Sequence, residues 1–409
     1  MSVMVQFALL ILSAAATLLL YRQRWLALIP AVAGLGELLI GPASLHGVAL
    51  STLKSLIAAI GFLLAAGPLG WMLDRLGFFS LVASKLPKKS IQLYLWWLAA
   101  LVTAVFNLDA AVVLLTPLYF RYASERGLSV DAFAFQPVLL SLLASSPLVG
   151  SNLTNLVLLG SLGLSPVSLL AHLFLPTLAG AAVGYLVYRR IFITRVLARP
   201  FSPSSNLHSC SAARPGALSD RMVVLVGGSV TVLMLLGMIF GRYLGVAPWL
   251  VVLVCDLILA LVLKSLPFRS VPIFSAVAIA GLGITAIEFG SRWDLGTLLS
   301  GNSDIAWVLI SVGSGMLGML VNNLPAISMI IAGSHGLMGG QVWPLLIGVN
   351  FLPGIVLTGT LANLLWVQLA GQLGIEVSFT RFSRVVGLVV GSGYVAAIAV
   401  MLVSRTVGL

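Results

Sequence analysis

"VTAVFNLDAAVVLLTPLYF", residues 102–120, sets an aspartate, Asp109, in the middle of an apolar run, with Asn107 two positions before it. A charged side chain in hydrocarbon costs several kcal/mol on any scale, so it is retained there for function by default. The run therefore reads as a membrane segment interrupted at Asn107-Leu108-Asp109, and the rest of the chain tests that reading.

The chain has 409 residues, 60% of them hydrophobic and 8% charged, with a mean hydropathy of +1.13. A soluble domain carries roughly 25% charged residues. This composition cannot make a water-soluble surface, and repeated long apolar runs define an all-α, multi-pass membrane protein. The net charge of +11 lies in short loops between apolar runs and reads as a topology signal, not a nucleic-acid patch. Cys210 and Cys255 form neither a disulfide framework nor a thiolate metal cage. No positive charge precedes the apolar residues 4–20, while Arg22 and Arg24 follow them. That pattern favours an uncleaved first span with an outside N-terminus.

One stretch is clearly polar: 189–221, rich in Pro, Ser and Arg, reads as a cytoplasmic linker. It separates two halves, 1–188 and 222–409. The first half gives apolar runs at 4–20, 25–41 and 48–73, then a basic loop. An interrupted run at 91–120 follows, then one at 133–163 broken by Pro147, Gly150, Ser151 and Asn152, and a last run at 167–188. The second half repeats the order at 222–241, 246–264 and 271–289. Run 304–334 is broken at Asn322-Asn323, run 341–374 at Pro353, Gly354 and Gly359, and 382–404 closes the half. Paired, broken hydrophobic segments are the sequence mark of a transporter site at a repeat interface.

Charge orients the runs. Let 91–120 and 304–334 be re-entrant hairpins, and let 133–163 and 341–374 each cross once as broken helices. Of the 22 lysines and arginines, all but Lys54, Arg242, Arg292 and Arg405 then fall on the inner side. The positive-inside rule asks for that bias. The expected fold has about ten crossings plus two re-entrant hairpins, two repeats in opposite orientation, and both termini outside the cell (inner) membrane.

Backbone leaves helical geometry at membrane depth only where protein or a water-filled cavity satisfies it, so the four breaks should converge. They read Asn107-Leu108-Asp109, "LVGSNLTN" (148–155), "VNNLPA" (321–326) and "LTGTLAN" (357–363). The candidate substrate-binding residues are Asn107, Ser151, Asn152, Asn155, Asn322, Asn323, Thr358, Gly359, Thr360 and Asn363. Asn supplies donors and acceptors, Ser and Thr hydroxyls do so on a smaller scale, and glycine admits a close backbone approach. Half-helix N-termini add positive partial charge. The set suits a small, polar, hydroxylated solute.

"FNLDAAVVLLTP" resembles the "NND…LTP" motif of arsenite-efflux permeases. "VGSNLTNLV" is similar to their "VSNLVNIV", "VNNLPA" to "MNNMPT", and "GTLANLLW" to "GSLATLLW". The likeness spans nearly the whole chain, in order and in the right halves. It implies membership of the ion transporter superfamily, related in plan to divalent anion/sodium symporters. It also implies a scaffold part, a moving transport part, and proton-coupled efflux of arsenite and antimonite. Leu108 stands where that motif has a second Asn, and Asn363 where it has Thr, which leaves the exact substrate open.

Asp109 is the only acid in the four breaks, so it reads as the proton-coupling residue; sodium ligation and a salt bridge to Lys54 are the alternatives. No cofactor is expected beyond an ion gradient, proton first and sodium second. Asp256 reads as a structural partner or a dimer contact. Glu37 and Glu288 read as residues near outer ends that snorkel or line a vestibule. His46, His172, His208 and His335 make no metal spacing. A sodium/proton antiporter or an anion symporter of the same superfamily is the second reading. An intramembrane enzyme ranks below both. H-E-x-x-H is absent, and Asp109 and Asp256 sit in unrelated contexts for a shared-proton pair. No Walker loop occurs, so an ATPase subunit is a partner the sequence does not demand, as is a second copy of the chain.

Overall fold

The structure is a computed structural model that describes residues 3–19, 23–40, 48–87, 91–196, 219–241, 244–265, 267–293, 295, 301–333, 339–375 and 377–407. Among these the secondary structure is helical throughout. His46, His208, His335, Cys210 and most of the 189–221 stretch lie outside the described residues.

Among the described residues, six helical stretches are long and apolar enough to cross a membrane unaided: Leu56–Arg75, Pro166–Phe192, Asp220–Gly237, Ile273–Gly290, Asp304–Val321 and Phe379–Thr406. Outward-facing side chains are apolar, as for Val32, Leu225 and Leu261, which is the surface a protein presents to lipid. The protein is an all-α membrane protein.

Two groups of helices pack among themselves. One comprises α1 (Val3–Leu19), α2 (Leu28–Ile40), α3 (Val48–Arg75), α10 (Asp220–Phe240), α11 (Pro248–Leu263) and α12 (Ile273–Gly290). Helices α2 and α12 meet backbone to backbone. A Cβ on Gly34 would stand 2.8 Å from the Gly281 carbonyl oxygen, so only glycine fits. The second group holds the interrupted runs. Run 91–120 becomes α5 (Ile91–Val105) and α6 (Leu108–Glu125), which pack on each other. Run 304–334 becomes α13 (Asp304–Val321) and α14 (Asn323–Ala332). At 10 residues, α14 spans only about 15 Å, too short to cross alone. The broken helices are α7 (Val130–Leu143) with α8 (Leu153–Leu162), and α15 (Val342–Phe351) with α16 (Leu361–Gln372). The long helices α9 (Pro166–Val196) and α17 (Phe379–Thr406) pack against each other.

The second group is crossed. Each hairpin packs its limbs on the first half-helix of its own half, α5 and α6 on α7, and α13 on α15. Each return limb packs on the second half-helix of the other half, α6 on α16 and α14 on α8. The groups meet where α12 and α3 touch α14, and α3 touches α6 and α16.

Three expectations change. The basic loop after α3 contains a short helix, α4 (Phe78–Lys85). Its apolar residues recur at helical spacing, burying Phe79 and Ala83, and it packs on α6 and α10. Arg126 satisfies its free end by donating to the Ala83 carbonyl at 3.0 Å while stacking over Tyr122. The linker is shorter than 189–221, because α9 continues through Val196 and α10 starts at Asp220. Phe192 stays buried against Tyr188 and Phe135, while Arg189 and Arg190 point outward, so the segment is an amphipathic continuation. Glu37 and Glu288 do not snorkel. Both are buried, and Glu288 lies 3.8 Å from Arg292.

Ion pairs tie the ends of the long helices. Arg381, at the start of α17, donates to Asp131 at 2.6 Å, and Arg405, at its end, donates to Asp304 at 2.6 Å. Along α17 these two pairs stand about 36 Å apart, at opposite ends of the helix.

Candidate functional site

Every break starts a half-helix with a side-chain cap. Asn107 Oδ1 accepts the Asp109 N–H at 2.7 Å, and Asn322 Oδ1 accepts the Leu324 N–H at 3.3 Å. Asn152 Oδ1 accepts the Thr154 N–H at 3.1 Å, and Thr360 Oγ1 accepts the Asn363 N–H at 3.1 Å. Asn, Ser and Thr favour such positions because a short polar side chain replaces the missing intrahelical partner. Asn322 has φ 75° and ψ 151°, a strained positive-φ backbone outside the left-handed helical well. Four capped N-termini point positive partial charge toward the breaks.

The two broken helices are held alike. Asn155 donates from Nδ2 to the carbonyls of Ser146 and Leu148 at 3.3 and 3.0 Å. Asn363 donates to those of Gly354 and Val356 at 3.0 and 2.9 Å. In both halves the acceptors lie nine and seven residues upstream. Each Asn thus satisfies carbonyls of the connecting turn from the first turn of the next half-helix, as buried irregular backbone requires. Asn363 thereby plays the part in its half that Asn155 plays in the other.

Asn350 joins the two broken helices. Asn350, at the end of α15, accepts from Thr154 Oγ1 at 2.6 Å and Asn152 Nδ2 at 3.1 Å. It donates to Asn155 Oδ1 at 2.8 Å and Ser146 Oγ at 3.1 Å. Ser151 Oγ donates within its own break to the Ser145 carbonyl at 2.6 Å. The sequence reading missed Asn350, Thr154, Ser145 and Ser146. The available signal was Asn350 itself, the one strongly polar side chain in "VWPLLIGVNF".

The second hairpin is docked on its break. Asn322 Nδ2 donates to the Thr358 carbonyl at 2.8 Å, and the Asn323 N–H donates to that of Gly359 at 2.9 Å. Packing Gly359 against the Pro353 carbonyl leaves no room for a Cβ. The first hairpin tip makes no such bond among the described residues; α5 lies against the Val149–Ser151 turn instead. Asp109 is 3% exposed, and its Oδ1 has no hydrogen-bond partner in the structure. No salt bridge joins it to Lys54, which is exposed. The Asn363 Oδ1 is likewise unpartnered. Thus Ser151, Asn152 and Asn155 meet at one break, Asn322 and Asn323 meet Thr358 and Gly359 at the other, and Thr360 caps the helix beyond at the N–H of Asn363.

Elsewhere, Asp256 is buried on α11, which packs on α3 and α10, and its Oδ1 has no partner. His172 stacks on Trp343 at 4.3 Å and takes no part in a metal cluster. No group of His, Cys, Asp and Glu able to hold a metal occurs among the described residues.

Broken helices with capped, neutral polar breaks and the buried Asp109 carboxyl beside one of them, in an all-α membrane protein, are the arrangement of a membrane transporter acting on a small solute. The chain belongs to the citrate transporter family, whose model matches residues 7–353. It is also similar to the arsenical pump membrane proteins of Escherichia coli (strain K12) and Shigella flexneri. Each is 26% identical over 345 residues, 76% of this chain and 78% of theirs. That of Yersinia enterocolitica is 26% identical over 344 residues, with the same coverage.

Proposed function

We propose that the protein exports a small neutral metalloid hydroxide, arsenite or antimonite, in exchange for protons, with Asp109 as the proton carrier. The observation that carries this is the buried Asp109 carboxyl, with Oδ1 unpartnered beside the Asn107 cap and no basic residue in any break. The arsenical pump relatives agree in substrate class. A hydroxide such as arsenous acid can donate to a carboxylate and accept from amide N–H groups. Protonation of Asp109 removes acceptor capacity, so proton and substrate compete. A proton taken up outside then favours release of the hydroxide there, and the neutral carboxyl returns at much lower cost than a bare charge. Under this reading the cation-rich loops face the cytoplasm of the inner membrane, the halves are inverted repeats, and 91–120 and 304–334 are re-entrant.

Anion symport is the second reading. The family description names citrate, and four half-helix N-termini could hold a carboxylate without a basic side chain. Everted vesicles decide between them. Arsenite or antimonite accumulation that needs an inward-acid pH gradient is the expected result. Citrate uptake that ignores that gradient, with no metalloid movement, would replace the first reading with the second.

A further inference from the structure

Between α16 and the start of α12 lies a cavity of about 530 Å³. Its deep end is Leu357 and Thr358, which open the break at 357–363 (the second break of the broken helices), where the Thr358 carbonyl accepts from Asn322. One wall is a single face of α16, with Leu364, Val367, Gln368 and Gly371 at helical spacing. Val271–Ser275 form the opposite wall. Gln368 ties the walls by donating to the Ser270 carbonyl, and its Oε1 has no partner. Arg24, Gln372 and Val377 are at the rim. The 12 residues of α16 put rim and break about 18 Å apart. Arg24 is exposed, has no ion-pair partner among the described residues, and is the only ionisable side chain in this lining.

We infer that this cavity is the passage by which substrate reaches the second break, and that Arg24 is its charge filter. The inference rests on the transport reading but not on which solute is carried. A lone guanidinium at the mouth of a low-dielectric funnel raises the local concentration of anions, lowers that of cations and leaves neutral solutes untouched. The passage thus admits uncharged hydroxides and small anions and turns free cations away. Its rim carries Arg24 and precedes Arg381, so it opens on the cation-rich face.

Thiol labelling tests this without any transported substrate. In the full chain with Cys210→Ser and Cys255→Ser, single cysteines go in at Thr358→Cys (floor), Ser275→Cys (wall) and Gln372→Cys (rim). Membrane vesicles of both orientations are treated with an anionic and a cationic methanethiosulfonate of matched size. All three positions should react from the cation-rich face only, Thr358→Cys slowest. Adding Arg24→Gln should lower the anion-to-cation rate ratio at Ser275→Cys about fourfold at low ionic strength, a factor of about two for each charge at about 10 Å in water. The difference should shrink as salt rises. Rim reaction without reaction at floor and wall, or reaction at the floor from the opposite face, would overturn the passage. An unchanged ratio in Arg24→Gln would overturn the filter. Failure of metalloid uptake with labelling as expected would overturn the proposed substrate and leave the passage standing.

Discussion

Asn350 Nδ2 donates to Asn155 Oδ1 at 2.8 Å, a bond between side chains 195 residues apart that ties the two broken helices to each other. Each residue also serves its own half: Asn155 holds the Ser146 and Leu148 carbonyls, and Asn350 ends α15. The breaks are therefore one connected polar unit and not two independent gaps.

Asn350→Ala removes four partners at once and strands the buried Asn155 Oδ1 and Ser146 Oγ. Each stranded buried group costs about 1–3 kcal/mol. A fall in melting temperature in detergent is expected, together with loss of vesicle transport. A variant that melts like the parent would show that these bonds contribute nothing net.

Asp109→Asn keeps the side chain's shape and removes the proposed proton site. Folding and membrane insertion should be unchanged, while accumulation driven by a pH gradient should vanish, leaving at most slow exchange. Asp256→Asn, on α11 away from the breaks, should leave gradient-driven accumulation intact. If Asp109→Asn still accumulated substrate under a pH gradient, Glu37 or Asp256 would inherit the role.

Arg121 grips Asp74 in bidentate fashion, Nε to Oδ1 at 2.8 Å and Nη2 to Oδ2 at 2.7 Å, linking α6 to α3. Both side chains are mostly buried, so removing one leaves its partner poorly compensated. Asp74→Ala and Arg121→Ala should each cost about 1–3 kcal/mol. The double variant should cost clearly less than the sum, as read from a melting-temperature cycle. Strict additivity would mean the pair is not coupled.

At Gly180 a Cβ would stand 3.0 Å from both the Gly393 carbonyl oxygen and the Phe351 ring. Gly180→Leu should therefore wedge α9 from α17 at a cost of about 1–3 kcal/mol. The readout is loss of a monodisperse peak in detergent; Gly180→Ala should be milder. An undisturbed Gly180→Leu protein would put the contact elsewhere.

The helices and their interruptions were legible because hydrophobic length and polar breaks are local signals. Asn107, Asn152, Asn322 and Thr360 sit where the sequence puts them because capping needs only the next two or three residues. What escaped depends on distant contacts. Asn350 lies in an unbroken apolar run, and its importance comes from Ser146, Asn152, Thr154 and Asn155 in the other half. Glu37 and Glu288 read as end residues because nothing in one helix reports how deeply a neighbour covers it. The α4 helix hid among lysines because α6 and α10 pack on it, not its own loop.

The Asn350 bonds also set a timetable for biogenesis. The ribosome delivers the first break long before Asn350, and at about 5–20 residues per second the 195 intervening residues take roughly 10–40 s. Through that interval Asn155 Oδ1 and Ser146 Oγ wait in the bilayer or the insertion machinery without their final partner. The closing of α15 against α8 is therefore a late step of assembly, which must wait for the second half of the chain.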